Sequence, residues 1–185
     1  GWNAQPTRAI NFDNVRVPFE NMLLGPGRGF EIAQGRLGPG RIHHCMRLIG
    51  CAQRSLEMAC KRVTSRSVFG RTLGENQSVR EDIATSFAEI EMARLLVLKT
   101  CAKMDEVGAK GSMDLIAASK ISVPLMVQNI IDRCMQMHGA GGLTEDYCMA
   151  EGFNYARWCR QADGPDQVHQ MALGKQLIKR YGMDA

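Results

Sequence analysis

The chain of 185 residues is 45% hydrophobic and 23% charged, which is ordinary globular usage and excludes a chain that is disordered throughout. Its net charge of +4, from 23 basic and 19 acidic residues, tolerates an anionic ligand but gives no reason to expect nucleic acid as a partner. Aromatic residues make up only 6% while Met occurs 12 times. This balance favours helices over sheets.

Seven cysteines occur without a C-x-x-C pair and without a histidine placed to complete a zinc site. We expect reduced, mostly buried thiols of an intracellular protein, and no metal site. The pair His43-His44 lacks the H-E-x-x-H pattern of a metal-binding helix. The chain starts without Met and without a signal peptide, so we expect a piece of a longer protein. No apolar run approaches ~20 residues, so no transmembrane segment is expected.

The first predicted element is a strand over residues 7–18. Ile10 and Phe12 share one face of the strand, whereas Val15 and Val17 have the opposite alternation after Asp13-Asn14. This change of alternation predicts one bulged strand or a short hairpin. A lone strand needs neighbours. It therefore either packs on the helices of this chain or, as we favour, belongs to a sheet that this chain lacks.

Two long helices are predicted after a turn-rich link at residues 24–29, a hinge rather than a dinucleotide-binding loop. The first has one apolar stripe: Ile49, Ala52, Leu56, Ala59 and Val63. The second helix lies between glycine breaks near residues 70–74 and 108–111. Two adjacent rows of mostly apolar side chains run along it, which predicts burial on more than one side. The rows are Ile83, Phe87, Ile90, Arg94, Val97, Cys101 and Met104, flanked by Ala84, Ala88, Glu91, Leu95, Leu98 and Ala102.

A third long helix and two shorter ones complete the pattern. The third helix contains Pro124, which should kink it, and it ends at the glycines of residues 139–142. Its predicted stripe is Leu115, Ala118, Ile121 or Ser122, Leu125, Gln128, Ile131, Met135 and His138. A helix around 145–160, a bend at 163–166 and a last helix to about Arg180 follow. Long helices with short links predict an all-α, up-down four-helix bundle preceded by a remnant β-strand.

Three segments could bind a ligand, and each has a structural alternative. Arg66 and Arg71 flank a glycine turn, where they could clamp a phosphate. They could also simply complement a helix dipole, and the residues alone favour this second interpretation. The glycines near residues 136–142 either end a helix or let a flat ligand approach the backbone. At the 163–166 bend, Asp166 is expected to cap the last helix, which leaves Asp163 free for another role.

Taken in order, these segments resemble the acyl-CoA dehydrogenase family over residues 7–181. Each matching position is weak evidence by itself, but the set in this order and spacing is specific to the family. The positions are Val17, Pro18, Asn21, Leu24, Gly25, Gly29, Phe30, Arg41, Gly50, Arg66, Phe69, Gly70, Gln77, Gln136, Gly139, Gly142, Tyr155, Arg157, Asp163 and Gly164. The bend reads Asp-Gly-Pro-Asp where most members have Glu-Gly-Thr. In this it is most similar to the large multi-domain members numbered 10 and 11.

The resemblance implies a fold and an activity. Residues 1–24 would be the last strand and linker of a middle β domain, and residues 25–185 the C-terminal helical bundle. Enzymes of this family use FAD to oxidise acyl-CoA to trans-2-enoyl-CoA in fatty acid β-oxidation, and they pass the electrons to electron-transferring flavoprotein. The resemblance also implies a homodimer or homotetramer in the mitochondrion or the peroxisome. Without its other domains, this chain alone is expected to be inactive.

The resemblance also assigns site residues. The base that removes the substrate α-proton falls on Asp163, and Gly164 lies beside the thioester. Substrate contacts near the CoA moiety fall on Gly38, Pro39, Gly40 and Arg41. FAD contacts, several of them to the neighbouring subunit's FAD, fall on Arg66, Ser67, Val68, Asn76, Gln77, Gln136, Met137, His138, Gly139, Ala140, Pro165, Asp166 and Gln167.

Three residues depart from the family pattern. Asp163 is one methylene shorter than Glu and reaches about 1.5 Å less far, which matters because a ~1 Å misplacement can cost about 100-fold in rate. Pro165 lacks the N–H of the usual residue, and His138 stands where the family has an apolar residue. A competing hypothesis is a non-catalytic helical oligomerisation module, suggested by the broad apolar surfaces of the second helix.

Overall fold

The computed structural model describes residues 9–182 and confirms an all-α architecture. Its five helices are α1 (Gly29–Ser65), α2 (Gln77–Gly111), α3 (Met113–His138), α4 (Met149–Cys159) and α5 (Asp166–Tyr181). Short 3-10 turns lie at Phe19–Asn21, Leu73–Glu75 and Gly139–Leu143, and β1 (Ser67–Val68) pairs antiparallel with β2 (Arg71–Thr72). The helix expected at 145–160 begins later, at Met149, and α5 ends where the sequence pattern predicts.

Helix α3 is the centre of the bundle, because it contacts each of the other four helices. The predicted stripe of α1 is confirmed, since all of its members from Ile49 to Val63 are buried. The predicted stripe of α3 is confirmed at Ile131 and His138 but was wrong in phase earlier in the helix: Leu125 is exposed, while the buried face runs through Ile116, Lys120, Val123 and Val127. Counting only apolar residues missed this face because a lysine lies on it.

Helix α3 is also long and apolar enough to cross a membrane by length and composition, with a mean hydropathy of 1.2 over its best stretch within Met113–Leu143. Half of that stretch is buried inside the bundle, and a central helix of a helical domain has this character. The helix continues without interruption through the buried Pro124.

Helix α2 is covered on one side only by the described residues. Ile90 and Val97 are buried, whereas Phe87, Leu95 and Leu98 are exposed. The expectation that α2 is buried on more than one side is therefore not met within residues 9–182. The predicted break of this helix is confirmed, because its backbone leaves helical geometry at Gly108 (φ 71°, ψ 171°).

The predicted N-terminal strand is not formed within the described residues. Residues 9–18 contain no strand, and the apolar side chains of Ile10, Phe12, Val15 and Val17 are exposed. A strand needs a hydrogen-bonded neighbour, and residues 9–182 supply none to this segment. Residues 7 and 8, the first two positions of the predicted strand, lie outside the described residues. So do the start of the expected domain 1–24 and the end of the expected domain 25–185.

The cysteines carry free thiols, as expected. Cys45, Cys134 and Cys159 are buried and Cys148 is exposed, while the other three are half-buried. Burial raises the pKa of the Cys45 and Cys134 thiols to about 12, because the thiolate is disfavoured away from water. These two side chains therefore act as small apolar core residues.

A site at the turn between α4 and α5

Asp163 lies in the turn between α4 and α5 in a left-handed backbone conformation (φ 57°), which Asp tolerates better than most residues. The next residue, Gly164, has φ 107°. A Cβ there would lie 2.9 Å from the His169 Nε2 atom, so a side chain would both strain the backbone and collide. The turn therefore requires glycine after the acidic residue.

The backbone of this turn is held by side chains from two other helices. Arg41 Nε of α1 donates to the Asp163 carbonyl at 2.9 Å. Lys120 Nζ of α3, completely buried, donates to the Ala162 carbonyl at 2.9 Å and also to that of Cys159. Burial lowers the pKa of Lys120. Buried carbonyls need partners, and these two cations satisfy them where α4 ends.

The carboxylate of Asp163 faces α1 rather than bulk solvent. Its Oδ2 lies 3.2 Å from His44 Nε2, with the two side chains 21% and 12% exposed respectively. Gly40 lies beside it, since a Cβ at that position would be in van der Waals contact with Oδ2 at 3.4 Å, and it would collide with the Arg36 guanidinium. A carboxylate held by one oxygen at the edge of a cleft can exchange a proton with a bound ligand.

A cavity of about 430 Å³ opens on the same part of α1. Its lining is basic and consists of Arg36, Pro39, Gly40, His43, His44 and Arg47. Two of the predicted substrate positions, Pro39 and Gly40, line this cavity. Of the other two, Gly38 packs against Ala109 of α2 and Arg41 binds the turn. This cavity suits a ligand that carries negative charge.

The predicted FAD positions of α1 and α2 lie at a different end of the bundle. Arg66 is the C-cap of α1, and its exposed guanidinium has no hydrogen-bond or ion-pair partner within residues 9–182. Ser67 is exposed and Val68 half-buried at the start of the hairpin. Asn76 Nδ2 donates to the Leu73 carbonyl at 3.0 Å, and Gln77 Nε2 donates to Glu81 at 2.7 Å.

The predicted FAD positions of α3 divide into an exposed and a buried set. Gln136, Gly139 and Ala140 are exposed. Met137 and His138 are buried, and His138 Nδ1 donates to the Cys134 carbonyl at 2.8 Å while its ring packs edge-on against Tyr147. The unusual histidine is therefore a satisfied core residue, and the ligand-accessible surface here is made by the other three positions.

The positions after Gly164 belong to the turn. Pro165 is the N-cap of α5, so the expected capping role of Asp166 was wrong. The Asp166 side chain is buried instead, and its Oδ2 accepts from Arg160 Nε at 2.7 Å. Gln167 is exposed. Asp166 Oδ1 and His169 Nε2 are buried without a hydrogen-bond partner among the described residues. Each of these two atoms beside the turn could therefore still form a hydrogen bond.

The two groups of predicted site residues do not meet within this chain. Arg41 and Arg66 are 25 positions apart on α1, about 37 Å at 1.5 Å per residue. Lys120, which binds the Asp163 turn, and Gln136 are about 24 Å apart along α3 by the same rise. One chain therefore presents a carboxylate cleft partway along the bundle and an exposed polar surface at its end.

Sequence reasoning missed two residues of the site. His44 was considered only as a metal ligand, and its pairing with Asp163 spans 119 positions in sequence and depends on the packing of α1 against the turn. Lys120 had a detectable pattern. It follows Ile116 by four positions and precedes Val123 and Val127 at helical spacing, and a lysine on an apolar stripe needs a buried partner.

The chain matches the family described as acyl-CoA dehydrogenase, C-terminal domain, over residues 27–178. The chain belongs to this family. Acyl-CoA dehydrogenase family member 10 of Mus musculus is 55% identical over 170 residues, which cover 92% of this chain and 16% of that protein. The sequence resemblance to this family and to its multi-domain members is thereby confirmed.

Solved acyl-CoA dehydrogenase structures share the fold. A putative acyl-CoA dehydrogenase from Mycobacterium abscessus is 46% identical with a TM-score of 0.87, covering 92% of this chain and 42% of that one. Butyryl-CoA dehydrogenase from Megasphaera elsdenii is 31% identical with a TM-score of 0.82, covering 90% of this chain and 43% of that one. The chain thus spans less than half the length of each of these relatives.

Proposed function

We propose that the protein containing this chain is an FAD-dependent acyl-CoA dehydrogenase that oxidises acyl-CoA to trans-2-enoyl-CoA, with Asp163 as the base. The observation that carries the proposal is the placement of Asp163. Its carboxylate is partly exposed and lies 3.2 Å from His44, which lines a basic cavity, and its turn is held by Arg41 and Lys120. Family membership supplies the reaction class.

The chemistry requires a carboxylate at this place. The α-proton of a thioester is weakly acidic, so a base must contact it in a site that excludes bulk water. Asp163 would accept that proton while the Cα–H electrons form the new double bond. FAD, when bound, supplies the hydride acceptor for the β-carbon. Gly164 leaves the backbone beside the thioester free of a side chain.

The exposed residues at the end of the bundle fit FAD in composition. Arg66 has a guanidinium without a partner among residues 9–182, and it could offset pyrophosphate charge. Gln136 offers an amide, and Gly139 with Ala140 offers backbone without bulk. Because this surface lies about 37 Å along α1 from the Asp163 cleft, we propose that it serves the FAD of a neighbouring subunit.

The exposed apolar side of α2 supports the proposed homodimer or homotetramer. Phe87, Met92, Leu95 and Leu98 are each more than half exposed, and a row of large apolar side chains at helical spacing is the kind of surface that a second copy covers. The same face supports the alternative of a non-catalytic oligomerisation module. The two readings differ in whether FAD binds and is reduced.

Three further parts of the proposal rest on the family resemblance. Electron-transferring flavoprotein is the proposed electron acceptor. A mitochondrial or peroxisomal location is proposed on the same ground. The 185-residue chain alone is proposed to be inactive, since it spans less than half the length of the related enzymes.

The test is reduction of the flavin in the full-length protein by acyl-CoAs of several chain lengths. In Asp163→Asn we expect bleaching of the flavin spectrum to slow by about 100-fold or more, because general-base catalysis typically contributes 10²–10⁴-fold. Asp105→Asn, an exposed carboxylate on α2, is the matched control and should bleach normally. Unchanged bleaching in Asp163→Asn would refute the base, and a wild-type protein without flavin would favour the oligomerisation module.

A further inference from the structure

His44 is linked to Asp163 and to two hydrogen-bond donors at once. Its Nε2 faces Asp163 Oδ2 at 3.2 Å, while its Nδ1 lies 2.9 Å from Arg47 Nη2 and 3.1 Å from the Tyr155 hydroxyl. An arginine only donates hydrogen bonds. Nδ1 must therefore accept, and the ring proton of the neutral imidazole lies on Nε2, the nitrogen that is 3.2 Å from Asp163 Oδ2.

The surroundings favour the neutral ring. Burial is the largest cause that lowers the pKa of His44, and Arg47 and Lys120 lower it further, while Asp163 opposes them. The edge of Trp158 packs against the ring at a centroid distance of 5.6 Å and limits its rotation. The titratable and charged groups that face the pair from the surrounding elements are Arg36, Arg41, His43 and Arg47 of α1, Lys120 of α3, Tyr155 and Cys159 of α4, and His169 of α5.

We propose that His44 is a positioning residue for Asp163: its Nε2–H holds Oδ2 and leaves Oδ1 as the oxygen that takes the substrate α-proton. This inference rests on the proposed function. It explains how an acid one methylene shorter than the usual Glu is kept in a single orientation. In the step, the Cα–H bond breaks and an Oδ1–H bond forms, while the hydrogen bond from His44 to Oδ2 persists.

One consequence separates this role from mere packing. Without the donor from His44 the orientation of the carboxylate would be lost, which lowers the rate of proton removal more than the binding of substrate.

The experiment uses the full-length, flavin-loaded protein and measures the limiting rate of flavin reduction by acyl-CoA in a stopped-flow instrument between pH 5 and 9. His44→Gln places an amide N–H four bonds from Cα, as His places Nε2–H, and should stay within about 5-fold of wild type. His44→Asn is one bond shorter and cannot reach. It should slow the limiting rate of reduction by about 10–100-fold and change the binding of acyl-CoA much less.

The inference would be overturned if His44→Asn kept the wild-type limiting rate, or if His44→Gln were as impaired as His44→Asn. Asp163→Asn in the same assay tests the base separately, so loss of one assignment does not mimic loss of the other. A second measurement needs no turnover: ¹⁵N spectra of histidine-labelled protein, with His44→Gln as the assignment control. They should show His44 with a proton on Nε2 and a bare Nδ1 at pH 7, and the opposite tautomer would also overturn the inference.

Discussion

The Asp163 turn and the hairpin end of the bundle differ in which of their polar groups have partners among residues 9–182. At the turn, the carbonyls of Ala162 and Asp163 have donors, and Asp163 Oδ2 faces His44. At the hairpin end, Arg66 has no partner among the described residues, and Phe69 is fully exposed. The first region is held by contacts among the described residues, whereas the second presents an exposed arginine and an exposed aromatic ring.

The difference follows from burial. Buried backbone groups must be paired within the protein, so the turn draws side chains from α1 and α3. The hairpin is a two-residue turn in which Phe69 (φ 51°) and Gly70 (φ 81°) both adopt left-handed geometry, and water can satisfy its polar groups. Mutations should therefore affect stability at the turn and ligand binding at the hairpin.

The largest effect on stability is expected at Lys120. Lys120→Met keeps the shape of the side chain but leaves the buried carbonyls of Cys159 and Ala162 without donors, which should lower the free energy of unfolding by about 3 kcal/mol. Thermal unfolding of the protein measures this. Lys99→Met, at an exposed lysine of α2, is the control. If both variants melted alike, the turn would not depend on the buried cation.

The next effect is expected at Gly164. Gly164→Ala forces a side chain into φ 107° and against His169, at a cost of about 2 kcal/mol, and should also slow flavin reduction by displacing Asp163. Gly174→Ala is the matched control in α5, where a Cβ meets open space. That variant should be more stable by about 0.5–1 kcal/mol. Equal melting temperatures for the two would contradict the strained turn.

The smallest effect on stability is expected at Arg66. Arg66→Ala should change the free energy of unfolding by less than about 0.5 kcal/mol and weaken FAD binding by about 10-fold or more, because a charge-assisted hydrogen bond contributes about 1.5–3 kcal/mol. Flavin release on dilution measures the affinity. Arg54→Ala, another exposed arginine of α1, should alter neither quantity. Lost stability with unchanged FAD affinity would reverse the proposed contrast between the two regions.

The helices were largely predictable because apolar spacing along one segment is local information. The stripe of α1 from Ile49 to Val63 was found in this way. Apolar spacing indicated the wrong face for the first part of α3, where Lys120 is buried and Leu125 is exposed. The prediction for Asp166 was also wrong, because the choice between a helix cap and an ion pair with Arg160 depends on where the chain turns.

The sequence by itself determined the order of the helices, the glycine-dependent bend and the acidic residue in it, since each depends on residue types close together in the chain. The tertiary structure decided which groups meet that acidic residue. His44 and Lys120 reach the turn only because α1 and α3 pack around it, and contacts between side chains so distant in sequence have no local pattern. The tertiary structure also separated the Asp163 cleft from the exposed surface at the bundle end. Arg41 beside the cleft and Arg66 at the bundle end are 25 positions apart on α1, which is about 37 Å of helix.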